Sequence, residues 1–68
     1  MNVKVNGEGR ILPQGCTVRR LLEALGIDPS RPGIAVAVDG RVVARSAWQE
    51  RELAEGSCVE IVRPLQGG

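Results

Sequence analysis

The chain has 68 residues, enough for one domain but too few for a nucleotide-binding α/β enzyme with its own deep cleft. With 43% hydrophobic and 25% charged residues it has an ordinary soluble, globular composition. A net charge of +1, the absence of His, Tyr and Phe, and Trp48 as sole aromatic leave neither the electrostatic footprint nor the stacking platform of a nucleic-acid binder, and remove the commonest general base and metal ligand.

Val3 and Val5 alternate with Asn2 and Lys4, the pattern of a half-buried strand. The turn signal Asn6-Gly7-Glu8-Gly9 precedes a second strand, Arg10-Ile11-Leu12. A two-residue Asn-Gly turn would set Val5 opposite Glu8 and Val3 opposite Arg10, which wastes the apolar face. A longer loop with a glycine bulge at Gly9 is therefore preferred, with Val3 opposite Ile11.

Thr17 is a good N-cap, and Val18, Leu21, Leu22 and Leu25 form one stripe of an amphipathic helix. Gly26 is the expected stop, with Ile27 as its hydrophobic follower and Pro29 preventing continuation. Arg19 and Arg20 lie in the first turn, where the helix dipole disfavours cations. They read as a solvated face, with Arg19 paired to Glu23, or as a dock for an acidic partner.

Asp28 to Gly33 is a loop by composition. The unbroken apolar run Ile34–Val38 suits a strand buried on both faces and central in a sheet. Asp39-Gly40 turns it into a return strand, Arg41-Val42-Val43. Ser46 is placed as the cap of a short helical turn, and Trp48 should close one end of the core. Leu53 is a lone anchor, Glu55-Gly56 a turn, and Cys58–Val62 a last strand with Val59 and Ile61 facing one way. On the sheet face away from the helix, Val42 and Ile61 are the candidate docking residues.

Cys16 and Cys58 form no C-x-x-C pair and offer no zinc ligand set. No charged-then-apolar leader and no run near the ~20 residues of a membrane span is present, so a cytoplasmic location with reduced thiols is expected. Both cysteines are read as small structural hydrophobes.

The order β-β-α-β-β-β, with one long helix, needs the sheet to cover the helical stripe. It predicts an α+β fold of the β-grasp type: a mixed sheet of about five strands, the first strand inside it, and one main helix packed on one face. The domain is placed at residues 1–63 and a flexible tail at residues 64–68.

The tail, Pro64-Leu65-Gln66-Gly67-Gly68, has no strand or helix signal. Five residues reach at most about 17 Å. Two closing glycines have no β-carbon, fit a narrow channel, and leave an uncrowded α-carboxylate on a thin arm. Together with Ala37–Trp48, Leu53–Val62 and the final Gln66-Gly67-Gly68, this ending resembles the ThiS-type sulfur carriers of thiamine thiazole synthesis, in the ubiquitin-like superfamily. The similarity spans essentially the whole chain, and Arg45-Ser46-Ala47-Trp48 favours this branch over its relatives. Ala44 departs from the proline found there in many members.

The resemblance implies a carrier with no catalytic residues and no bound cofactor or metal. A ThiF-type adenylyltransferase would use Mg-ATP to adenylate the Gly68 carboxylate, and a cysteine desulfurase would supply sulfur for a Gly68 thiocarboxylate. A ThiG-type thiazole synthase would take the sulfur. Gly67 would give access, Pro64, Leu65 and Gln66 would line the mouth of a partner's channel, and Arg63 would meet an acidic rim. No nucleic-acid or membrane partner is expected, and the free chain is expected to be a monomer. The alternatives are the same chemistry serving molybdopterin synthesis or tRNA thiolation, a ubiquitin-like protein modifier, and a plain interaction domain with accidental glycines.

Overall fold

A computed structural model describes residues 1–64. In chain order it has β1 (Asn2–Val5), β2 (Glu8–Ile11), α1 (Val18–Ala24), β3 (Ala35–Val38), β4 (Arg41–Val43), a short 3-10 turn (Arg45–Ala47) and β5 (Cys58–Val62). The strands form one sheet in the order β2-β1-β5-β3-β4. β1 and β5 run parallel, and the other pairs are antiparallel. The chain therefore has the expected α+β, β-grasp architecture, with β1 inside a mixed sheet.

Helix α1 follows from its local sequence. Thr17 Oγ1 accepts the Arg20 N–H at 3.2 Å, and the first two helical N–H groups donate to carbonyls outside the helix, Val18 to Arg51 and Arg19 to Trp48. These carbonyls offset the positive end of the helix that Arg19 and Arg20 would otherwise aggravate. At the other end Gly26, with φ +76, lets Gly26 and Ile27 donate back to Glu23 and Leu22, a Schellman stop. Val18, Leu21 and Leu22 are completely buried against Val3, Val5, Val36, Val38, Val59 and Ile61 from the sheet.

Four expectations fail locally. The first hairpin adopts the two-residue Asn6-Gly7 turn, with Val5 opposite Glu8 and Val3 opposite Arg10, and Gly9 forms no bulge. Strand β2 is an edge strand exposed along its whole length, so Glu8 and Arg10 stay in water although they share a face with core valines. Asn6 then completes the arrangement: its amide donates to the Ile61 carbonyl at 3.2 Å and accepts the Ile61 N–H at 2.8 Å, carrying the ladder beyond β1.

β3 lies between β5 and β4 but is not buried on both faces. Val36 and Val38 point into the core, while Ala35 is exposed and Ala37 half-buried. Ser46 caps nothing; it lies inside the 3-10 turn, which starts after Ala44 with no side-chain cap. Cys16 is buried as expected, whereas Cys58 is exposed on the open face of the sheet.

Candidate functional site

The site consists of the root of the tail and the surfaces around it. Strand β5 is central, and its last residues lead directly into Arg63 and Pro64, both exposed. Leu65, Gln66, Gly67 and Gly68, the expected channel and sulfur-bearing positions, lie outside the described residues. Proline has no N–H to extend the β5 ladder, so the strand ends there for a covalent reason.

Pro64 rests on the loop after α1. A β-carbon at residue 33 would lie 3.1 Å from Pro64 Cγ and 3.3 Å from its Cβ and Cδ, and Gly33 has φ +85. The loop has its own fastenings. Asp28 Oδ1 accepts the Ser30 N–H at 2.9 Å and the Ser30 hydroxyl at 2.7 Å. Those hydrogen bonds, the hydroxyl first, hold the Asp28 carboxyl below the usual carboxylate range. The Arg45 guanidinium donates to the carbonyls of Pro29 and Arg31. It also sits 4.5 Å above the centre of the Trp48 ring. Trp48 is buried, as its size predicts, and its indole N–H donates to the Val43 carbonyl at 2.9 Å. Arg45 thus joins the loop to the core.

A groove of about 460 Å³ runs beside this root, with Arg31, Ile34, Arg63 and Pro64 among its walls. Arg63 and Arg31 thus line the same groove. Arg19 lies away from this groove: its Nε is 3.4 Å from Glu23 Oε2, a half-exposed pair on the helix surface, and it borders a separate groove with Arg45 and Trp48.

The sheet face opposite the helix is open. Cross-strand pairing sets Ala37 between Val42 and Glu60, and Ala35 beside Val62. Val42 is 80% exposed and Val62 62%. Ile61 is a core residue at 8% exposure, not the open-face residue expected; the exposed β5 residue there is Val62, one residue on. A one-residue error in strand phase moves a side chain to the other face. Gly33 and Arg45 were not anticipated; a contact between a loop glycine and a proline 31 positions later leaves no periodic signal in the sequence.

Among the described residues no group of three His, Cys, Asp or Glu side chains is placed to hold a metal ion, and no buried side-chain nitrogen or oxygen lacks a partner. Burial pushes the Cys16 thiol up, against a weaker downward pull from Arg20, which leaves it a poor nucleophile. No helix among the described residues is long and apolar enough to cross a membrane.

One helix across a five-stranded mixed sheet, whose central strand leads into exposed Arg63 and Pro64, defines a β-grasp protein of the ubiquitin-like class. The crystal structure of the thiamine biosynthesis protein ThiS from Geobacter metallireducens superposes with a TM-score of 0.81 at 28% identity, covering all of both chains. The solution structure of a thiamine biosynthesis protein from the same organism gives 0.82 at 28% identity, over all of this chain and 88% of the other. The sulfur carrier protein ThiS of Thermus thermophilus is 35% identical over 66 residues, 97% of this chain and 98% of that protein. The ThiS family model matches residues 3–68, and the chain belongs to the ThiS family.

Proposed function

We propose that the protein is a sulfur carrier for thiamine biosynthesis and that Gly68 is the sulfur-bearing residue. The observation that supports this most is the family match running through residue 68, so that it includes the terminal glycine pair as well as the fold. A carboxylate is a poor acyl donor because its leaving group would be oxide. Attack of the Gly68 carboxylate on the α-phosphate of Mg-ATP expels pyrophosphate and yields an acyl adenylate, whose leaving group is AMP. The terminal sulfur of a protein persulfide, as its anion, then displaces AMP. A second thiol cleaves the resulting S–S bond and leaves the thiocarboxylate.

Phosphoryl activation requires charge stabilisation that a partner of the ThiF type supplies. The carrier contributes a thin arm and a docking surface. The open face around Val42 and Val62 is the proposed dock, with Arg63 and Arg31 at the tail root meeting carboxylates of the partner. A ThiG-type synthase is the proposed acceptor of the sulfur.

Incubation with Mg-ATP, cysteine, a desulfurase and the activating partner should raise the intact mass by the difference between sulfur and oxygen. Deletion of Gly68 should abolish the gain without changing the fold, and thiolation of the deleted chain would refute the assignment of Gly68. Transfer of the sulfur to molybdopterin synthesis or tRNA rather than to thiazole synthase would refute the thiamine assignment alone.

A further inference from the structure

We propose that Gly33 is a positioning residue: with Pro64 it forms a seat that fixes the direction in which the tail leaves the domain. This rests on the carrier reading, because only a tail that must enter a partner's active site has a direction to set. Three ring carbons of Pro64 lie within 3.3 Å of the place a β-carbon at residue 33 would occupy. The ring therefore packs closely over the bare α-carbon, and a β-carbon there would force it to shift by a few tenths of an ångström. Gly33 is also in the left-handed region at φ +85, which glycine adopts without strain.

The seat is rigid on both sides. Pro64 has a fixed φ and follows a central strand. The loop that carries Gly33 is anchored by Arg45, whose guanidinium reaches the Pro29 and Arg31 carbonyls and stacks on the buried Trp48 ring. Since Pro64 offers no N–H, the chain's exit at this point is set by packing rather than by the sheet ladder. A small rotation at the root displaces the end of an extended arm of about 17 Å by several ångströms. Misplacement of a reacting atom by about 1 Å is enough to cost roughly a hundredfold in rate.

The test is a double-mutant cycle on the full chain with Gly33→Ala, Pro64→Gly and both together. It reads kcat/KM for thiocarboxylate formation by intact mass, thermal unfolding, and the proton–proton NOE between residue 33 Hα and the residue 64 side chain. Gly33→Ala should lower kcat/KM by roughly tenfold or more. Pro64→Gly should lower it less, and the double variant should match Pro64→Gly in rate, because an alanine at residue 33 has no ring to strike once Pro64 is gone, while the strain of its positive φ appears in thermal unfolding in both backgrounds. Wild-type rates in Gly33→Ala, or penalties that multiply in the double variant, overturn the proposal. Should Gly33→Ala fail to fold, Pro64→Gly decides alone: a lowered rate in a folded chain supports the seat, and an unchanged rate overturns it. A wild-type chain that gains no sulfur from partners active on another carrier overturns the carrier reading and this role with it. A thiolated wild type beside an equally active Gly33→Ala overturns the seat only.

Discussion

The two hairpins use the same turn and put it to different uses. Asn6-Gly7 has φ values of 50 and 83, and Asp39-Gly40 has 51 and 82, both the mirror-image two-residue turn whose twist suits a hairpin. In each, the first turn residue reaches across to β5. Asn6 uses both ends of its amide on Ile61, while Asp39 uses one carboxylate oxygen, which accepts the Cys58 N–H at 2.9 Å. Beyond the turns the likeness ends. The second hairpin's inner strand, β3, lies against β5 along its whole length, and its outer strand leads to Trp48. The first hairpin's outer strand is wholly in water. Turn chemistry sets the hairpin, and the position of each strand in the sheet decides whether its side chains are buried.

The largest effect expected from this contrast lies just past the second hairpin. Trp48→Ala should destabilise by roughly 3–5 kcal/mol in urea unfolding, because it removes a buried ring, its bond to Val43 and the platform under Arg45. A near-neutral result would mean that the second hairpin does not depend on this anchor. Exchanging the turn residues comes next. Asn6→Asp loses the donor to Ile61 and faces that carbonyl with another acceptor, a cost of about 2 kcal/mol. Asp39→Asn keeps the needed acceptor and should cost below about 1 kcal/mol. Equal penalties would show that the two side chains act alike.

Acid should act on the first hairpin through Glu55, which accepts the Asn2 N–H at 2.9 Å. That bond holds the Glu55 carboxyl below its ordinary range, so the folded form binds the proton less tightly than the unfolded form. The stabilisation is complete above the unfolded value, roughly 4.3, and is lost as pH falls through the lower folded value. Glu55→Gln should flatten the acid limb of stability against pH; an unchanged limb would show that the bond has no energetic weight. The smallest effect belongs to Ile11→Ala in β2, within about 0.5 kcal/mol, since Ile11 is 83% exposed.

Much of this fold is legible in the sequence wherever one signal acts alone. Thr17, the Val18-Leu21-Leu22 stripe and Gly26 define α1 because cap, period and stop agree. The first hairpin misleads because two signals conflict. Its Asn-Gly turn demands one register, and an apolar face shared by both strands would demand another. The second premise fails because β2 lies outside the cover of the helix. Ile34–Val38 misleads for a related reason: alanines are small enough to sit on an open face, so an unbroken apolar run does not prove two buried faces. At the site, the glycine-ended tail is read directly from the sequence, and Val42 is placed on the correct face. Val62 is missed by one step of strand phase. Gly33 is missed, and so is Arg45's hold on the loop, because Pro64, Pro29 and Arg31 are distant in sequence from them and carry no motif.

Strand order has a consequence for how this sheet comes into being. β1 and β3 have no ladder between them; each pairs with β5. During folding both hairpins keep an open inner edge until residues 58–62 pair with them and zip them together. Most of the cooperative stability therefore arrives with the last strand, through contacts that close long loops and form slowly. A chain truncated before that strand keeps two unpaired edges, prone to aggregation and open to proteases, instead of a finished domain without its arm.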